Sequence, residues 1–346
     1  RRTERALGRR RRGLMTALLT GDAVLREVRP LARIPVVLLN VRGTLPTSSW
    51  TVHFVHGPRN TDKVTASPPL AAAITSGALR LRRYTIGGRE QDESLDRHVH
   101  FNYQKTPEFW RAFSAPMLLL FEPDTVMCPQ PHVPLQQFSG YAFVGAPWGA
   151  YASGMLPAWC NNLEHCVGNS GFSLWRRDVI AEAIGNETVS SLAPLVIDYL
   201  QAPPWRGKRA GPGMGSQKAM LLGRAGLARK GIKMAAIEAV MNKWGVDIYM
   251  STVLQSLRHH GRLPIPAVPS ASLAARFSVE TVYKDDEHAP VGTHKPYRFL
   301  NATKLRRLMR NCPPVRKLLS TTAKEDARAD SRMAKGEQAM LASLAD

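Results

Sequence analysis

A glutamate and an aspartate flank one proline at Glu122-Pro123-Asp124, directly after the unbroken apolar run Met117–Phe121. Such a run reads as a central parallel strand covered on both faces. Open α/β sheets bind ligands beyond the carboxyl ends of their strands. Two carboxylates placed there can converge on a hard divalent cation, which keeps waters and bridges phosphates. An aspartate after a strand also serves as an ordinary turn or cap residue. The pair by itself therefore points to two readings, a metal site and a loop.

The elements around the pair follow from periodicity and turn chemistry. Strands are expected at Ala23–Val28, Trp50–Val55, Ala78–Tyr84, Met117–Phe121, Tyr141–Val144, Phe172–Trp175 and Arg276–Glu280. Helices are expected at Thr106–Ala115, Arg177–Ile184 and Asp247–Leu257, whereas Ile34–Val41 fits a strand or a buried helix. Gly168-Asn169-Ser170-Gly171 reads as a tight turn into the next strand, or as a segment whose glycines let backbone approach a ligand. Gly292–Leu300 reads as a closing loop. Strands alternating with helices indicate an α/β fold with a mostly parallel central sheet.

Composition narrows the partners without choosing one. The chain has 346 residues, of which 44% are hydrophobic and 21% charged, as in globular proteins. Lys and Arg number 47 against 27 acids, a formal charge of +20 that favours anionic partners. Residues 1–12 hold seven arginines and one acid, so residues 1–21 are expected to form a basic disordered arm. A basic insertion is expected at about 203–244, within a domain spanning 22–315, and 316–346 reads as a polar helix or tail. The basic segments suit an anionic membrane surface or an acidic polysaccharide. They lack the interleaved aromatics of RNP or OB modules, which counts against nucleic acid. Four cysteines without a CxxC pair argue against a zinc ribbon, and Cys160 and Cys166 could be a disulfide or two thiols. No run approaches the length of a membrane span. The first residue is Arg1, so a missing upstream signal or anchor is expected, with a Golgi or membrane-associated location, or else a cytoplasmic one.

A series of segments in fixed order carries a resemblance. Phe109-Trp110, Leu120–Thr125, Gly145-Ala146-Pro147-Trp148 and Val167–Arg176 are followed by Phe277–Glu280, Gly292–Tyr297 and Asn311-Cys312-Pro313. Together they resemble the family known as domain of unknown function 5672, whose members look like glycosyltransferases of the GT-A class. The resemblance spans roughly Ala23 to Cys312 and implies one GT-A-like, Rossmann-like domain with an acidic metal motif after a central strand.

The resemblance also implies roles. Asp124 matches the family's metal-binding aspartate, while Glu122 replaces a neutral residue and could add a carboxylate. His294 matches a GxHK segment and could complete the ligand set; imidazole suits manganese better than magnesium. Lys295 could meet a phosphate as a point charge. Asp247 is the candidate general base, although Val246 stands where the family usually has a glutamate; the alternative is a first-turn aspartate favoured by the helix dipole. Asn169 and Gly171 would line the sugar site, and Trp148 could stack on a sugar or belong to the core. Arg29, His56 and Gly57 follow the first two strands, where this fold meets its nucleotide.

The function so implied is transfer of a sugar from a nucleotide-diphosphate donor to the hydroxyl of a glycan or other acceptor, with Mn or Mg as cofactor. The departures at Pro123 and Val246 keep open an inactive glycan- or nucleotide-binding module. The charge keeps open a polyanion or nucleic-acid binder.

Overall fold

A computed structural model of the protein describes residues 19–148, 166–186, 192–193, 234–283 and 288–328. The expected arm, most of the basic insertion, Cys160 and the tail beyond Arg328 lie outside the described residues.

The chain order is β1 (Gly21–Glu27), α1 (Ile34–Thr44), β2 (Trp50–His56), α2 (Thr61–Thr65), α3 (Pro68–Thr75), β3 (Leu79–Arg83), β4 (Thr85–Ile86) and β5 (Arg89–Glu90). Next come α4 (Arg97–Gln104), α5 (Pro107–Arg111), β6 (Met117–Phe121), β7 (Thr125–Met127), β8 (Phe143–Pro147), β9 (Val167–Arg176) and α6 (Arg177–Asn186). The remainder is α7 (Met234–Lys243), α8 (Val246–His259), α9 (Ala271–Phe277), β10 (Ser278–Val279), β11 (Gly292–His294), α10 (Pro296–Phe299), α11 (Ala302–Asn311) and α12 (Pro314–Arg328).

The main sheet has six strands in the order β3-β2-β1-β6-β9-β8. β3, β2, β1 and β6 run parallel, and β9 and β8 add antiparallel pairs at one side. The expected α/β fold with a mostly parallel central sheet is therefore present. β6 is buried along its whole length, and its alternating side chains feed two cores. Met117, Leu119 and Phe121 join α1 on one face; Leu118 and Leu120 join Trp110, Ile180 and Met250 on the other. That division is why its sequence is apolar throughout rather than alternating.

Three expectations are corrected. Gly168–Gly171 is no turn: it lies inside β9, whose ten residues run from Val167 to Arg176. The segment Arg276–Glu280 is split, because Ser270 caps α9 and the helix continues to Phe277 before the short β10. Gly292–Leu300 is not a loop but β11 followed by α10. β10 and β11 are short, and the pairing of β11 with distant β7, with β10 added beside it, overrides the local turn signals. The ambiguous Ile34–Val41 is helical, with Ile34, Val37, Leu38 and Val41 on the buried stripe.

A disulfide joins Cys128, just past β7, to Cys312 at the end of α11, closing a separation of 184 residues. Cys166 is also disulfide-bonded. No helix among the described residues is long and apolar enough to cross a membrane.

Candidate metal centre and cleft

Strand register assembles the site. β7 continues directly from the acidic motif and pairs antiparallel with β11, with Thr125 opposite His294. The ladder extends one step, as the Lys295 N–H donates to the Asp124 carbonyl at 3.2 Å. β10 lies on the other side of β11 in parallel, with Val279 beside Thr293. Continuing that register brings Glu280 next to His294. Three short strands, two of them far in sequence from the third, thus gather a row of charged groups at one edge.

The distances are short. His294 Nε2 lies 3.1 Å from Glu122 Oε2 and 3.3 Å from Asp124 Oδ1, and His294 Nδ1 lies 3.1 Å from Glu280 Oε1. Lys295 Nζ lies 2.6 Å from Glu122 Oε2 and 3.5 Å from Asp124 Oδ2. Lys295 holds a left-handed backbone with φ of 44°. That conformation is uncommon for a residue with a side chain, and the following proline restricts it further. It turns the chain from β11 into α10 while its ammonium faces both carboxylates.

A glycine makes the histidine's position possible. A Cβ on Gly171 would fall 2.1 Å from His294 Cε1, so the imidazole rests directly on the β9 backbone. The Gly171 carbonyl also accepts from the Glu122 N–H at 2.9 Å and from Thr125 Oγ1 at 3.1 Å. One residue of β9 therefore fixes both ends of the acidic motif.

The electrostatics are tightly coupled. Burial opposes the charged forms of Glu122 and Asp124. The Lys295 ammonium and the His294 imidazole outweigh it, holding Asp124 below the usual carboxyl range and Glu122 well below. Burial and Lys295 both disfavour a charged His294, yet Glu122, Glu280 and Asp124 lift it well above the ordinary imidazole value. Asp247 goes the other way. Burial raises its carboxyl to about 6, against the N–H of Ile248, with the Glu280 and Glu122 charges adding to the rise.

Glu122, Asp124 and His294 each offer a ligand atom within 4.8 Å of the others. Asp124 Oδ1 is buried and has no hydrogen-bond partner, since the 3.3 Å approach of the imidazole is not aligned as a hydrogen bond. Two carboxylate oxygens and one imidazole nitrogen, one of them an orphaned buried acceptor, fit a divalent cation of the Mg or Mn kind. Glu280 Oε1 lies 3.1 Å from the other ring nitrogen, close to the carboxylate position that orients metal-binding histidines, although Nδ1 makes no aligned hydrogen bond.

The acidic motif opens on a cleft of about 670 Å³. Glu122, Asp124 and Lys295 line it together with Arg26, Arg29 and Val246. Arg29 is held by Glu27 through contacts of 2.9 and 2.7 Å, leaving its guanidinium at the mouth. Asp247 sits in the first turn of α8 beside cleft-lining Val246, its Oδ1 accepting from the Ile248 N–H at 2.9 Å.

Other predicted residues lie elsewhere. His56 is buried, its Nδ1 2.8 Å from the Gly57 carbonyl oxygen, and Gly57 packs against the Val28 backbone. Trp148 is buried with its ring against Gly168, where a Cβ would meet it at 2.3 Å. Asn169 Oδ1 accepts from the Gly171 N–H at 3.0 Å, bracing the backbone under His294. None of these four lines the cleft. Sequence reasoning missed the roles of Glu280 and Arg26. Glu280 closes the Phe277–Glu280 segment, so its position was visible, but only β10–β11 pairing shows what it faces.

No curated protein matches this sequence. Among solved structures, the chain is similar to the mannosyltransferase PcManGT from Pyrobaculum calidifontis in complex with GDP-Man and Mn2+, at 13% identity and a TM-score of 0.35, covering 72% of this chain and 78% of that one. It is similar to the galactosyltransferase LgtC at 8% identity and a TM-score of 0.43, covering 92% and 99%. It is also similar to glucosyl-3-phosphoglycerate synthase from Mycobacterium tuberculosis in complex with Mn2+ and UDP, at 15% identity and a TM-score of 0.32, covering 64% and 83%. These are distant likenesses. The family model described as "Protein of unknown function (DUF5672)" matches residues 94–294. That span is more than half of the chain and runs from before the acidic motif to His294 itself, so the chain belongs to the DUF5672 family.

Proposed function

We propose that this protein is a metal-dependent glycosyltransferase that moves a sugar from a nucleotide-diphosphate donor to an acceptor hydroxyl. The observation that carries the reading is the convergence of Glu122, Asp124 and His294 at the end of the central strand, on the rim of a cleft that is also lined by cations. Those three residues would hold a divalent cation, whose charge offsets the negative charge of a leaving diphosphate. Lys295 and Arg29 supply further positive charge at the same rim. Asp247, raised to about 6, is ionised at neutral pH yet basic enough to take a proton from an acceptor hydroxyl as that oxygen attacks the anomeric carbon.

The test is a screen of nucleotide sugars for hydrolysis and transfer, with manganese, with magnesium and with chelator. One donor should be consumed only when the cation is present. Turnover that survives chelation would end this reading.

One observation favours a second reading, a module that binds such a donor without turnover. The Lys295 ammonium already lies 2.6 Å from Glu122 and so balances the carboxylate without a metal. Calorimetric binding of a nucleotide sugar, with no product at any cation concentration, selects that alternative.

A further inference from the structure

The C-terminal helices carry a charge pattern that neither the sheet nor the cleft requires. Residues 288–324 contain nine Lys and Arg and no Asp or Glu. In α11 the buried Leu305, Leu308 and Met309 form an apolar stripe that packs into the core beneath the sheet. Lys304, Arg306 and Arg310 are exposed on the rest of that helix. α12 repeats the arrangement, with Val315, Leu318 and Leu319 in the same core and Arg316 and Lys317 exposed. None of these five cations has an acidic partner among the described residues.

The face is fastened to the body of the protein. Asn301 caps α11 by accepting from the Lys304 N–H at 3.0 Å. At the other end Cys312 is bonded to Cys128, and Asn311 Nδ2 donates to the Tyr283 hydroxyl at 2.6 Å. The cations are therefore displayed on ordered helices rather than on a flexible tail.

We propose that this face docks the protein onto an anionic lipid surface. Clustered cations near such a surface each contribute to attraction, and the effect adds over several residues. The five do not line the cleft, so they do not surround a small anion there. Val99 is the large hydrophobic residue exposed among the described residues, so no aromatic platform accompanies the cations to stack bases. Arg298 links the face to the site: it is exposed, belongs to the same acid-free stretch and lines the cleft. The attachment is independent of sugar transfer.

The test is sedimentation of the full chain with phosphatidylcholine vesicles, with and without phosphatidylserine. Two variants are compared with the wild type. One carries Lys304→Gln, Arg306→Gln, Arg310→Gln, Arg316→Gln and Lys317→Gln; the other replaces the arginines of residues 1–12 by glutamine. Wild type should bind only the vesicles containing phosphatidylserine, and less as salt rises. The helix variant should bind on the order of a thousandfold more weakly, with unchanged circular dichroism, while the arm variant keeps most of the binding. If the five-fold variant does not fold, the triple change in α11 alone should still weaken binding about a hundredfold. Vesicle binding unchanged by the helix substitutions, or absent from the wild type, overturns the proposal. Loss of heparin binding without loss of vesicle binding also overturns it and assigns the face to an acidic polysaccharide.

Discussion

The molecule buries an aspartate against a histidine at two places in its sheets. Near the amino end of the main sheet, Asp22 Oδ1 meets His53 Nε2 at 2.9 Å, and its second oxygen accepts from the Ala115 N–H at 3.2 Å. The His53 ring meets Phe113 edge-on at 5.5 Å. At the carboxyl end, Asp124 meets His294 at 3.3 Å, but two further acids and a lysine crowd the same histidine and one aspartate oxygen has no hydrogen-bond partner. The first pair has both carboxylate oxygens satisfied and does not line the cleft of about 670 Å³; the second has an unused acceptor, and its aspartate lines that cleft. The same two residue types hold the fold together in one place and form a candidate site in the other. What separates them is whether both aspartate oxygens find donors, since His53 Nδ1 and His294 Nδ1 alike are buried without a hydrogen-bond partner.

The sharpest way to break that contrast is substitution of both aspartates. Asp124→Ala should lower metal-dependent donor hydrolysis on the order of a thousandfold, several kcal/mol of charge stabilisation, while the urea midpoint hardly moves. Asp22→Ala should do the opposite, costing roughly 3–5 kcal/mol of stability because a buried partner is left behind. The activity of the Asp22→Ala protein that remains folded should be close to wild type. Equal effects of the two changes on stability and turnover would show that the contrast is not real.

Acid titration separates the pairs further. Burial works against the Asp22 carboxylate, but the His53 hydrogen bond and charge and the Ala115 N–H hold its carboxyl below the usual 3.8. A depressed acid binds fewer protons when folded, so its contribution is complete above that value and is lost as pH falls through the lower folded one. Urea melts below pH 4 should therefore lose a stability component that Asp22→Ala never had.

Glu280→Gln should weaken cation binding roughly 10- to 100-fold, as loss of a partner behind a ligating histidine does. Manganese titration by calorimetry gives that number directly. The smallest effect is on the pH profile. Asp247 must be ionised to accept a proton, and its carboxyl is raised by burial to about 6. Turnover should then fall about tenfold per pH unit below about 6, and Asp247→Asn should lose that limb as well as rate. A profile flat down to pH 5 removes Asp247 from the proton transfer.

Much of the frame was legible. Met117–Phe121 announced a doubly covered strand because every one of its side chains is apolar, and β1, β2 and β3 were legible within a residue or two. Short elements were not. β10 and β11 have two and three residues, too few for periodicity; β11 is held by pairing with distant β7, and β10 by pairing with β11. The glycines of Gly168–Gly171 suggested a turn, but Gly168 and Gly171 are there because Trp148 and His294 occupy the space of their missing side chains. The Cys128–Cys312 bond joins residues too far apart in sequence for spacing to suggest it.

By itself the sequence determined the sheet class, the acidic pair at the end of its central strand and the large positive charge. These are properties of composition and short-range pattern, and no folding is needed to see them. The tertiary structure decided which charges meet. Glu280 and His294 face each other because β10, β11 and β7 align in register. Asp22 and Asp124 part company because one finds two donors and the other does not. Pairing between strands and closure of hydrogen bonds depend on residues far apart in the chain, so only the folded molecule specifies them.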